Sequence, residues 1–335
     1  MRRKHMSMWA VMLLALALAL AVAVAAGCGG DEGTNTSAAG DSPAAAAQLT
    51  PQQIVDQSQQ AMQAVNSAAF TADLELNLEG DASKMTDATA KQLLSSPITF
   101  HAEGSSSTKP VAADMDVTVA LMGQNLAMGV LAEGNKAWVQ YEDAWYAVPQ
   151  KNTKALTTGG SGALPTDQLK DLGLDPQAWN VEWTLTGTET VDGAEVYHLT
   201  ASPDAKKIAA DLMKALNDPA LYKKLGDPQT AAQVKSLKTQ NSKQLTELQK
   251  ALKSVAVELW IEKDSLYMRK GTVAIGMDMT GMQGAEGVTA MNVDVAFTMA
   301  DFNEPVEVKA PAQAQDFDTL MNKLVGGMMS GGTTS

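Results

Sequence analysis

Along one stretch after another of this chain, apolar and polar residues change places at every step, a period that only a half-buried β-strand satisfies. Phe70, Ala72, Leu74, Leu76 and Leu78 alternate with Thr71, Asp73, Glu75, Asn77 and Glu79. The same pattern returns in Ile98, Phe100 and Ala102, then in Met115, Val117, Val119 and Leu121 opposite Asp114, Asp116 and Thr118. Gly123 to Asn125 reads as a turn before Leu126, Met128 and Val130, and Gly134-Asn135 as another before Trp138 to Tyr141 and Trp145 to Val148. Trp179, Val181, Trp183 and Leu185 alternate again, and Asp192-Gly193 is a hairpin turn leading to Val196 to Ala201. Three more strands follow, at Val255 to Ile261, Val273 to Met279 and Met291 to Met299.

Helical signals gather in a few places. Thr50 caps a helix with Pro51 in its first turn and Gln53 three residues after the cap, and Ile54, Val55, Ala61, Met62 and Val65 share one face. A Lys- and Gln-rich helical insertion is expected over about 203–253, after a Gly-rich loop at Thr157 to Gly162, and a last short helix over Phe317 to Leu324. Hairpin-linked strands with segregated helices describe an α+β domain built on a large antiparallel sheet. No Pro/Gly-rich linker divides the strands, so residues 49–325 are expected to form a single domain, followed by a disordered Gly- and Ser-rich tail over 326–335.

The N-terminus is of a different kind. Arg2, Arg3 and Lys4 precede an apolar run from Met8 to Ala26, which ends in Ala25-Ala26-Gly27-Cys28, the order of a secretory signal peptide spanning 1–27. Small residues directly before the only cysteine of 335 residues resemble the lipobox of bacterial lipoproteins, with Ala25 where that pattern prefers Leu. The resemblance implies that Cys28 carries the lipid and begins the mature protein. Residues 28–48 hold no large apolar side chain beyond the anchor and read as a lipidated flexible tether.

Composition excludes several functions. With its single cysteine used for the anchor, the chain has none for a disulfide, a thiolate metal site or a nucleophile. There are 25 basic and 38 acidic residues, and loss of Arg2, Arg3 and Lys4 leaves a net charge of −16. Such a surface repels nucleic acid and gains nothing from anionic headgroups, so attachment to the membrane rests on acyl chains, each buried methylene contributing about 0.8 kcal/mol. The mature chain has two histidines, His101 and His198, each in a strand, and no phosphate loop, serine elbow or HExxH. No enzyme activity, metal or cofactor is expected.

Methionine is the unusual residue. Fifteen lie beyond the leader, many on apolar strand faces where Val or Ile would form better strands. Flexible thioethers suit a surface that accepts varied apolar shapes, and equally suit the filling of a large curved core. Trp138, Tyr141, Trp145 and Tyr146 either close one end of a barrel or belong to ordinary core.

The stretches Thr50 to Leu78, Gly134 to Gln140, Val257 to Gly271 ("VELWIEKDSLYMRKG") and Phe297 to Pro311 ("FTMADFNEPVEVKAP") together resemble the lipid-binding lipoproteins of actinobacteria, the LppX, LprA, LprF and LprG group, and more loosely the LolA carrier. The resemblance implies a strongly curved antiparallel sheet, a half-barrel with helices on its concave side, that binds acyl chains of lipids or lipoglycans and carries them across the envelope. The inward strand residues expected to line such a cavity are Leu74, Leu76, Met115, Val117, Val119, Met128, Val130, Met277, Met279, Met291, Val293, Val295 and Phe297. The competing expectation is a structural or sensory surface lipoprotein with a filled core, acting on an envelope protein partner.

Overall fold

A computed structural model describes residues 49–85, 88–121, 123–150, 153, 179, 181–217, 247, 250–282, 285 and 287–330. The expected signal peptide, Cys28 with its expected tether, the 157–162 loop and most of the expected helical insertion lie outside the described residues.

The alternating stretches become strands, and together they form one open, almost wholly antiparallel sheet of twelve strands. In chain order these are β1 (Ser67–Gly80), β2 (Ile98–Thr108), β3 (Val111–Leu121), β4 (Gln124–Glu133), β5 (Lys136–Tyr141), β6 (Ala144–Ala147), β7 (Thr184–Val191), β8 (Ala194–Ala201), β9 (Leu252–Glu262), β10 (Met268–Asp278), β11 (Val288–Ala300) and β12 (Gln315–Asp316). Their order across the sheet is β12-β6-β5-β4-β3-β2-β1-β11-β10-β9-β8-β7. Only the two-residue β12 pairs in parallel, with β6. Among the described residues four α-helices accompany them: α1 (Pro51–Gln63), α2 (Ala88–Ser95), α3 (Ala205–Asn217) and α4 (Phe317–Ser330).

Helix α1 begins as its sequence predicts. The Thr50 hydroxyl accepts from the Gln53 amide at 3.2 Å while the Gln53 side chain accepts from the Thr50 amide at 2.9 Å, a reciprocal capping box. The β7–β8 hairpin turns on Asp192 (φ 48°) and Gly193 (φ 81°), both left-handed as a tight two-residue turn requires.

Three local features differ from the sequence pattern. Strand β7 starts at Thr184, because Trp179 leaves the alternation, buries to 1% exposure and donates its indole N–H to Asp211 of α3 at 3.1 Å. Helix α2, only eight residues long, has too few turns to show a periodic apolar face in the sequence. Helix α4 runs on to Ser330 through Gly326 and Gly327.

The residues divide into two compact units. The first unit contains α1, the end of β1, β7 to β10, α3 and β11 as far as Val293. Here α1 and α3 both pack on β9, and Ile54, Val55, Ile208, Val257, Leu259, Val273 and Ile275 are all at most 3% exposed. The second unit contains most of β1, β2 to β6, β11 from Asp294, β12 and α4. Its core joins Leu320 of α4 to Ala113, Val130, Ala132, Ala137, Val139, Tyr146 and Val148.

Strand spacing in the second unit depends on Gly104 of β2, which lies opposite both Phe70 and Met115. A Cβ on Gly104 would sit 2.2 Å from the Asp114 carbonyl oxygen and 2.5 Å from the Met115 Cα. Backbone atoms cannot swing aside as a side chain does. Gly104→Ala is therefore expected to lower stability in chemical denaturation by about 3 kcal/mol, the upper part of the overpacking range. Gly187→Ala, whose Cβ meets nothing within 4 Å, is the control and should change stability by less than about 0.5 kcal/mol.

Candidate functional site

Cross-strand partners share a face of a sheet, so the register of the second unit reads out its apolar side row by row. One row is Leu74, Phe100, Val119 and Leu126. The next is Ala72, Ala102, Val117, Met128, Tyr141 and Ala144. A third is Phe70, Gly104, Met115, Val130, Val139 and Tyr146, and a fourth holds Ala68, Ser106, Ala113, Ala132 and Ala137. On β11 the Thr298 hydroxyl meets the Thr71 hydroxyl at 2.6 Å on the polar side. Alternation then places Val295 and Phe297 on the apolar side with Phe70 and Ala72.

These rows are not equally covered. Under Leu320 of α4 the third and fourth rows of β4 to β6 are buried. Farther from the helix, Phe100, Val119, Leu126, Val117, Met128 and Tyr141 are only half-buried, as are Phe70, Ala72, Met115, Val295 and Phe297. The result is an apolar lattice six strands wide, from β11 through β1 to β5, whose middle is neither closed by α4 nor fully open to water.

The thirteen residues expected to line a cavity thus fall in two groups. Met277, Met279, Met291 and Val293 belong to the first unit and are at most 5% exposed. The other nine belong to the second unit: Leu74, Leu76 and Val130 are buried, and Met115, Val117, Val119, Met128, Val295 and Phe297 are half-buried.

At the β6 end of the lattice stands a polar feature that alternation could not reveal. Tyr146 is fully buried, and its hydroxyl has no hydrogen-bond partner. The Lys323 ammonium of α4 lies 5.7 Å from the centre of the Tyr146 ring and 3.9 Å from Glu142. Tyr146 above all, and then Glu142, raise the Lys323 pKa, although ammonium and hydroxyl do not meet in hydrogen-bond geometry.

The opposite face of the same strands is acidic. Glu103 of β2 lies directly across from Asp116 of β3, a like-charge pairing that disfavours the sheet. Burial, then Asp116, raises the Asp114 pKa, and burial, then Glu75, raises that of Asp294. His101 Nδ1 meets Asp73 Oδ1 at 2.6 Å, and Asp73 raises the His101 pKa. After Asp301 and Asn303, both left-handed, the chain begins to cross this face, and a pocket of about 610 Å³ opens there. Its walls include Glu103, Asp114, Asp116, Asp301 and Glu304, with Ala69, Ser105 and Val306, and Met115 alone of the thirteen residues above.

The other histidine belongs to the first unit. His198 Nδ1 lies 2.8 Å from Glu189 and Nε2 lies 2.7 Å from Glu258, while the ring stacks on Trp260 at 4.4 Å. Trp260 donates to Glu189 at 3.2 Å and carries Lys270 on its ring at 4.3 Å. Both imidazole nitrogens are engaged, so this cluster stitches β7 to β10 and presents no free base. Among the described residues no group of three or more His, Cys, Asp or Glu is placed to hold a metal ion, and no helix is long and apolar enough to cross a membrane.

The chain is similar to the LppX and LprF lipoproteins. With LppX of Mycobacterium tuberculosis the identity is 17%, over 76% of this chain and 96% of that one, at a TM-score of 0.37. With LprF from Mycobacterium bovis the identity is 13%, over 78% and 97%, at 0.36. MucB, solved in complex with MucA(peri), overlaps 80% of this chain and 62% of its own at 10% identity and a TM-score of 0.28. No family model and no curated protein matches the sequence. At these scores the superpositions are loose, and the site stands on the register and burial given above.

Two variants probe this geometry. Tyr146→Phe removes an unpaired buried hydroxyl without changing the ring, so it should raise ligand-free stability by about 1 kcal/mol in thermal or chemical unfolding. Asp114→Asn acts through pH. A carboxyl whose folded pKa is raised lends stability only while protonated, and that stability is lost as pH rises from its ordinary 3.8 through the folded value. Asp114→Asn should therefore be more stable than the parent at pH 7, and the difference should vanish below pH 3.8.

Proposed function

We propose that this protein is a lipid-anchored, extracytoplasmic lipoprotein that binds acyl chains of a lipid or lipoglycan on the apolar face of its second unit and carries out no chemistry. The observation that supports the reading best is the half-buried lattice of Phe100, Val117, Val119, Leu126, Met128 and Phe297. Water-exposed apolar area on this scale is a standing free-energy cost, at about 25 cal/mol per Å², that an acyl chain would remove. Two unbranched methionine side chains within it, Met115 and Met128, adapt to a chain of no fixed shape. On the same reading the Cys28 anchor keeps the protein at the cell membrane, and the lattice takes lipid from that membrane or delivers lipid to it.

Residues 28–335 carrying Cys28→Ser, exported behind a plain cleavable signal peptide, should be found outside the membrane fraction and, purified without detergent, should retain acyl-chain lipid detectable by solvent extraction and native mass spectrometry. Val117→Asp, which sets a charge in the middle of the lattice, should abolish that retention. A protein free of lipid that also ignores added fatty acid would sink the reading.

A second reading is favoured by the burial of Met277, Met279, Met291 and Val293 in the first unit and by the acidic pocket of about 610 Å³ in the second. It is a surface lipoprotein that acts through contacts with an envelope protein. In-cell crosslinking to one defined protein, with no lipid recovered, would select it.

A further inference from the structure

The hydroxyl of Tyr146 is the one polar group that the apolar cluster of the second unit retains without using. Phenylalanine would fill the same volume, and a buried hydroxyl without a partner is unfavourable. The residue is fully buried, its hydroxyl is unpaired, and its ring belongs to the cluster against which Met115, Val117, Met128 and Tyr141 pack. It therefore ends the row that enters the acyl-chain lattice.

Beside it, Lys323 brings a second donor. Its side chain is half-exposed, and its ammonium stands 5.7 Å from the Tyr146 ring centre and, among the described residues, pairs with Glu142 at 3.9 Å, the outer limit of an ion pair. An O–H and an N–H⁺ at the end of an apolar surface ask for an acceptor that carries negative charge. Glu142 already holds a carboxylate against the same ammonium, so that geometry is accessible. Glu142, at the outer limit of an ion pair, would give way to a ligand that carries the one negative charge a single ammonium answers, which a carboxylate does and a phosphate monoester exceeds. The chain's net charge of −13 works against any surplus.

We propose that Tyr146 and Lys323 form the head-group end of the lipid site, and that the preferred ligand is a long-chain amphiphile with a free carboxylate, a fatty acid rather than a neutral lipid. The proposal rests on the acyl-chain reading above and specifies its ligand. The carboxylate accepts from the Tyr146 hydroxyl and from Lys323, and the tail lies across Tyr141, Met128 and Val117.

The test uses residues 28–335 carrying Cys28→Ser, titrated calorimetrically with palmitate and with 1-hexadecanol, which keeps the chain length and removes the charge. The parent should bind palmitate at least about tenfold more tightly, the worth of one hydrogen bond to a charged group. In Tyr146→Phe and in Lys323→Gln that preference should fall to within about twofold, and the carboxyl ¹³C resonance of labelled palmitate should lose its bound-state shift. Lys323 is half-exposed, so Lys323→Gln tests the idea even if Tyr146→Phe disturbs packing. Equal binding of both ligands by the parent, or a preference untouched by either variant, overturns the head-group assignment and leaves the acyl-chain reading standing. Binding of neither ligand overturns both.

Discussion

Cross-strand register governs everything else in this protein. Side chains in a strand alternate with a period of two, so a slip of β3 by one residue would turn Met115, Val117 and Val119 to water and bring Asp114, Asp116 and Thr118 inside. The burial of Leu320, Val130 and Tyr146 on one side holds that register, and the hydrogen-bonded ladder transmits it from strand to strand. Because the ladder is continuous from β1 through β6, residues as distant in sequence as Phe70 and Tyr146 stand in one line.

Much of this could be read in the sequence, for physical reasons that name their own limits. Alternation located the strands and the face of each candidate residue, since both follow from the local pleat. The capping box at Thr50 and the turn at Asp192-Gly193 were equally local. What covers a face is a tertiary matter. Nothing in "MDVTVAL" shows that Met115 is half-buried while, on β10, Met277 in "AIGMDM" is buried to 5% exposure. The unpaired hydroxyl of Tyr146 was likewise hidden, because "AWYA" reads as core and only the packed structure shows which polar atoms go unmet. Trp179 left its alternating pattern because a hydrogen bond to Asp211, thirty-two positions away, outweighed strand propensity.

The two sides of the second unit are held by opposite means. The apolar side gains from every square ångström that it hides, whereas the polar side sets Glu103 against Asp116 and raises Asp114 and Asp294 by burial beside other acids. His101, between Asp73 at 2.6 Å and Glu103 at 3.8 Å, offsets only part of that repulsion. Stability of this unit is therefore tied to ionic strength through one face and hardly at all through the other.

The segment 301–314 between β11 and β12 joins these faces. Fourteen residues reach roughly 46 Å when extended, and seven strand spacings are roughly 34 Å, so the segment spans the distance with little slack. It starts over the acidic face and ends at Gln315 and Asp316, paired with Tyr146 and Ala147, from which α4 turns onto the apolar side. A helix on so short a leash meets its docking surface at an effective concentration of order millimolar. Whatever shares that surface with α4 competes against a partner that never diffuses away.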